Sequence, residues 1–159
     1  MIFSSLAPMV AAANREGIHV IWSLCHYGWP DDIDIWSPTF VQRFANYCRA
    51  TATFMAEHSA IPPIYSPINE ISYLAWMAGE QGMMYPFGKG RGHELKQQLI
   101  RAVIAGCDAI WSVTPAAQIV HVDPLIHIVP PLRRPDLIDD VRARREGQFE
   151  AWDMLAGLA

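Results

Sequence analysis

Tyr65-Ser66-Pro67-Ile68-Asn69-Glu70-Ile71 is the stretch on which the reading of the fold turns. It reads as a short strand, Ile64 to Ile68, that stops at a polar pair, Asn69 and Glu70. A strand that is apolar along its body and acidic at its exit belongs in a parallel sheet with chemistry at its C-terminal edge. A carboxylate at such an edge can serve as a general acid. The plain alternative is that the pair merely opens a loop, as polar residues do everywhere.

Upstream, Ile18 to Cys25 is almost free of charge, the pattern of a strand covered on both faces. It runs into His26-Tyr27-Gly28-Trp29-Pro30-Asp31-Asp32, where Gly28 and Pro30 exclude a regular element. Before it, Leu6 to Arg15 predicts a helix, with Leu6, Met9, Val10 and Ala13 on one face and Gly17 as its stop. Between the strands, Ser37 and Pro38 supply an N-cap and a first helical residue. Phe40, Phe44, Tyr47, Cys48, Thr51 and Met55 then recur at helical spacing, while Gln42, Arg43, Asn46 and Arg49 fall on the wet side.

Downstream, Ser72 to Gly92 reads as one long loop carrying Tyr73, Trp76, Glu80, Tyr85 and Phe87. A loop this long and this aromatic predicts function rather than disorder. Glu94 to Val113 predicts a helix with Leu95, Leu99, Val103, Cys107 and Ile110 buried. Gln118 to Val122 predicts a third strand, leaving through His121, Val122 and Asp123. Ile126 to Leu132 is expected to be extended, and Asp136 to Leu155 a weaker helix interrupted near Gly147.

The order is helix and strand in alternation, which predicts an α/β fold with parallel strands. A doubly wound sheet usually shows a glycine-rich phosphate turn after its first strand, and His26-Tyr27-Gly28-Trp29 is too bulky for one. A barrel delivers polar residues from every strand to one rim. All three strands do so, through His26 and Tyr27, Asn69 and Glu70, and His121 and Asp123. A partial TIM (β/α)8 barrel is therefore expected. The strands start near residues 18, 64 and 118, so 159 residues hold three of them, where a whole barrel needs about 250 residues. Residues 1–159 are expected to be a single incomplete barrel fragment, with 133–159 as a helical extension and the remainder of the barrel as an implied partner.

Composition narrows the field. Charged residues make up 18% of the chain and apolar ones 52%, against about 25% charged in a typical domain. With net charge -4 and no Lys/Arg stripe, nucleic acid is not expected as a partner. No apolar run has the length of a membrane span, so no membrane partner is expected. Met1 to Ala13 lacks a basic start and is interrupted by Pro8, so it is read as helix and not as a leader. Cys25, Cys48 and Cys107 are read as buried hydrophobes in a reducing, cytoplasmic setting.

Asn69-Glu70 at a strand exit resembles the acid/base signature of clan A glycoside hydrolases. His26 one β/α unit earlier is similar to the His-aromatic motif of family 1 β-glucosidases. That family usually has Thr-Asn-Glu-Pro where this chain has Ile68-Asn69-Glu70-Ile71, and His-Trp-Asp-x-Pro where it has His26-Tyr27-Gly28-Trp29-Pro30. The Asn, Glu and His are kept while their neighbours differ, as in a divergent branch.

The resemblance implies that the strands are barrel strands 3–5 and that Met1 to Gly17 belongs to the preceding helix. It implies a carbohydrate substrate, no cofactor and no metal. Glu70 would be the catalytic acid/base and Asn69 the partner of the sugar 2-OH. His26 would bind a further hydroxyl; Tyr27, Trp29, Trp76 and Tyr85 either offer ring faces to the sugar or serve as plain packing, the commoner role of such rings. His121 and Asp123 complete the rim, Asp123 being better suited to hydrogen bonding or helix capping than to catalysis. The family's nucleophilic Glu comes from the seventh strand, so the isolated chain is expected to be inactive. Glu146 and Glu150 are read as solvated charges. Two rivals remain: an open-sheet enzyme holding a metal with His26, Glu70, His121 and Asp123, and a non-catalytic carbohydrate-binding barrel module.

Overall fold

The computed structural model describes residues 3–159; Met1 and Ile2, the first residues of the stretch Met1 to Gly17 that the resemblance assigns to the preceding barrel helix, lie outside the described residues. The chain forms two compact units. One comprises the chain through Asn69 together with Gln97–Val122, and the other comprises Glu70–Lys96 with Asp123–Ala159.

The first unit is built on three parallel strands in the order β1 (Ile21–Cys25), β2 (Ile64–Ile68), β3 (Gln118–Ile119). Ile21 pairs with Ile64, Ser23 with Ser66 and Cys25 with Ile68; across β2, Tyr65 pairs with Ile119. Helix α1 (Ala7–Glu16) ends as its sequence dictates, with Gly17 left-handed at φ 64° and its N–H returned to Ala13 and Asn14. In α2 (Pro38–His58) the Ser37 hydroxyl accepts the Thr39 N–H. The α2 stripe of Phe40, Phe44, Cys48, Thr51, Ala52 and Met55 is buried.

Successive residues of a strand face opposite ways. Trp22 lines a crevice with Val10 and Ala13 of α1, and Leu24 lines a cavity with Phe40 and Phe44 of α2. Helix α4 (Gly92–Trp111) packs beside α2 at Gly106, where an added Cβ would stand 3.0 Å from both Cys48 Sγ and the Phe44 ring. Helices α1 and α2 therefore lie on the Trp22 and Leu24 face of β1, as the outer helices of a barrel wall do. The middle strand β2 is buried on both faces from Tyr65 to Ile68.

The other face of β1 is open over its first residues, where Ile21 is 54% exposed and Ser23 is exposed, and closes at the buried Cys25. The expectation of a strand covered on both sides is corrected here, since hydrophobic patterning does not reveal whether the covering layer is present. The strand is also shorter than expected, because Ile18 to Val20 pair with nothing in the ladder. The third strand shrinks to two residues, extended by one further bond from Val120 N–H to the Tyr65 carbonyl at 2.8 Å.

In the second unit, the expected loop from Ser72 is half helical. Helix α3 (Ile71–Leu74) runs directly into a π-helix, Ala75–Glu80, and irregular chain begins only at Gln81. Ile71, Leu74, Ala75 and Ala78 are buried, and their i, i+3, i+4, i+7 spacing is the helical signal behind the difference. The C-terminal region is a 3-10 turn (Pro135–Leu137), α5 (Ile138–Gly147) and α6 (Glu150–Leu155), parted near Gly147 as expected. Glu150 is no solvated charge: it pairs with Lys96, whose side chain is 12% exposed, and stands 3.3 Å from His93 Nδ1. All three cysteines are buried and free. No helix among the described residues is long and apolar enough to cross a membrane.

Candidate active site

The exits of β1 and β2 bring three of the sequence-selected residues together in the first unit. The Asn69 N–H donates to the Cys25 carbonyl at 2.9 Å, carrying the parallel ladder one residue past β2. Beyond Cys25 the chain turns sharply: Tyr27 is left-handed at φ 60°, and the Cys25 thiol reaches the Gly28 carbonyl at 3.5 Å. That turn brings the Tyr27 hydroxyl to Asn69, whose Nδ2 donates to it at 3.2 Å. His26 and Tyr27 lie with ring centroids 4.5 Å apart and tilted by 59°. His26 is exposed, and Tyr27 and Asn69 are half-buried. An amide fixed at a strand exit beside an exposed imidazole is suited to holding polyhydroxylated ligands, since both groups can donate and accept.

Trp29 lies elsewhere. It meets Phe40 of α2 edge-on at 6.1 Å and lines the roughly 430 Å³ cavity between the β1 exit loop and α2. His121 lies beyond β3, half-buried, with its Nε2 shielded from solvent.

The second unit begins at Glu70. This residue is half-buried and left-handed, at φ 49° and ψ 63°, an uncommon state for a residue with a Cβ. It stands at the N-cap of α3, and its carbonyl accepts the Leu74 N–H at 2.9 Å. Asp123 reaches the same turn: Oδ1 accepts the Ser72 N–H at 2.9 Å and Oδ2 accepts the Ser72 hydroxyl at 2.6 Å. The π-helix carries Trp76, 51% exposed and tilted against Tyr73 at 6.3 Å. Tyr85 and Phe87 form an edge-to-face pair at 6.1 Å, both largely exposed. Phe87 of the same stretch is left-handed at φ 57°, and neither that backbone state nor its ring contact with Tyr85 is signalled by composition.

Glu70, Trp76, Tyr85 and Asp123 thus belong to one unit, and His26, Tyr27, Trp29, Asn69 and His121 to the other, with Asn69 and Glu70 joined by the chain itself. Among the described residues no group of three His, Cys, Asp or Glu side chains is placed to hold a metal ion. Burial, and then the neighbouring Cys107 and Cys25, push the Cys48 thiol up to about 12, and burial lifts Cys107 to about 11. These thiols are packing groups and not nucleophiles.

Several solved structures share this architecture. A β-glycosidase from Pyrococcus horikoshii superposes with a TM-score of 0.80 over 97% of this chain and 36% of its own, at 12% identity. The hyperthermophilic β-glucosidase from Pyrococcus furiosus gives 0.72 over 93% and 34%, at 17% identity. The β-glucosidase from Thermotoga maritima gives 0.69 over 86% and 31%, at 14% identity. The chain spans about a third of the length of these structures. Neither a family model nor a curated protein matches it. At such identities the likeness is one of fold: the three strands and their helices match one part of the α/β barrel of these structures.

Proposed function

We propose that this chain is the acid/base-bearing part of a retaining, β-glucosidase-like glycosidase, and that Glu70 donates the proton to the departing oxygen. The observation that carries the reading is the position of Asn69-Glu70. The pair leaves the middle strand of the parallel sheet, and the Tyr27 hydroxyl holds the Asn69 amide. Asn69 meets the sugar 2-OH, a contact that tightens as positive charge grows at the anomeric carbon. His26 binds a further hydroxyl of the ring. Tyr27, Trp76 and Tyr85 present aromatic faces to sugar C–H groups.

A retaining mechanism needs a second carboxylate about 5–5.5 Å from the first, to attack the anomeric carbon while Glu70 protonates the leaving group. In this reading a strand outside the 159 residues supplies it. The bare Ile21 and Ser23 face is where the remaining barrel strands close over the sheet.

The test is complementation. The purified chain should not turn over an aryl β-glucoside. Mixed or fused with a polypeptide supplying the remaining β/α units, it should. Glu70→Gln in that assembly should then lower the rate by about 10²–10⁴-fold, the usual worth of general acid help. Turnover by the chain alone, or an unchanged rate with Glu70→Gln, overturns the reading.

A further inference from the structure

Glu70 is held in a backbone conformation that its own side chain does not favour. A left-handed φ in a residue with a Cβ is strained and persists only where the surroundings over-determine it. Four features converge on this one turn. Ile71 and Leu74 are fully buried and anchor α3. The Glu70 side chain makes no capping bond, so α3 begins without the usual help from its N-cap. The first helical N–H groups need acceptors. Asp123 supplies one from the far side of the sequence, with one oxygen on the Ser72 N–H and the other on the Ser72 hydroxyl.

We infer that Asp123 is a positioning residue: by clamping Ser72 it fixes the first turn of α3, and with it the left-handed backbone that aims the Glu70 carboxyl. The clamp stands on geometry alone, while its consequence for catalysis rests on Glu70 being the proton donor. Two oxygens on two donors of a single residue hold both the position and the rotation of the turn, which one bond would not. The carboxylate also lies at the positive end of the helical turn, where negative charge is favoured. The clamp acts through the backbone and leaves Asp123 no direct part in the chemistry.

The two levels are read separately. In the 159-residue chain, NMR should show the coupling constant and carbon shifts of a positive φ at Glu70, and a slowly exchanging Ser72 amide. Asp123→Ala should shift the Glu70 signals toward ordinary negative φ and speed exchange of the Ser72 amide by about tenfold or more, while β2 amides stay unchanged. Asp123→Asn, which keeps an acceptor and a side chain of the same shape, should restore most of both. Should Asp123→Ala fail to fold, Ser72→Ala, which removes only the hydroxyl donor, should show the same shift in smaller measure.

In the complemented barrel, Asp123→Ala should cost about tenfold more in kcat on an alkyl glucoside than on a dinitrophenyl glucoside, whose leaving group needs no proton. A folded Asp123→Ala chain that keeps the positive-φ signature and the protected amide overturns the clamp. Equal losses on the two substrates overturn its role in aiming Glu70. If the complemented barrel hydrolyses neither substrate, the glycosidase reading fails, while the NMR result still decides the clamp.

Discussion

Tyr65 shows how a single residue can be placed by the fold against its own chemistry. It is fully buried in the middle strand, and its hydroxyl has no hydrogen-bond partner among the described residues. Burial, then the neighbouring Cys48, hold that hydroxyl far above the ordinary tyrosine range, so it stays neutral and still lacks an acceptor. A buried unpaired hydroxyl costs about 1–3 kcal/mol. Tyr65→Phe keeps the ring and removes the cost, so it should raise stability by about 1 kcal/mol, visible as a higher urea midpoint with an unchanged slope. The residue types of the candidate site were legible: Asn69, Glu70 and His26 stand at strand exits, as their polarity after apolar runs implies. The left-handed turns at Tyr27 and Glu70 were not, because φ is set by what the neighbouring residues bury and bond.

Elements followed their caps and periods closely. Ser37-Pro38 starts α2, Gly17 ends α1, and Ile64–Ile68 forms the strand read from the sequence. Structure departs from local pattern at Ile71 to Glu80, where aromatic residues running on into glycine-rich chain hide a helical period, and at Gln118, where long-range pairing decides strand length. Ion pairing between distant elements was also invisible to periodicity. Burial alone would push the Glu150 carboxyl up; the Lys96 hydrogen bond and charge, with His93, outweigh it and leave it below the ordinary glutamate value of 4.5. A depressed carboxylate stabilises the fold above its unfolded value, and that contribution fades as pH falls through the folded one. Glu150→Gln should therefore cost stability at pH 7 and cost progressively less below about pH 4.5. Because the Glu150 side chain is about a third exposed, solvent screening limits the loss to at most about 1 kcal/mol. Denaturant melts of both proteins across pH 3–7 would check it; a difference that does not shrink in acid would contradict the pairing.

At the scale of the first unit, helices cover the Trp22 and Leu24 face of β1, while Ile21 and Ser23 stay open on the other. Exposed apolar residues on a sheet with open edges favour association. Ile21→Lys should therefore reduce self-association of the isolated chain in sedimentation without lowering its helix content. If further β/α units complete the barrel as proposed, the same change should weaken assembly with them, because it places a charge on the face they would cover. Improved solubility together with undiminished assembly would argue that this face is not where the barrel is completed.

The amino-acid sequence by itself determined the alternation of helix and strand, the polar exits of the strands and the pairing of Asn69 with Glu70. These are local properties, set by side-chain period, capping and turn chemistry within a few residues. Only the tertiary structure decided which face of the sheet is covered, that Asp123 reaches Ser72 across 51 residues of chain, and that Glu70 sits left-handed. Such outcomes depend on contacts between segments far apart in sequence, whose free energies no local pattern encodes.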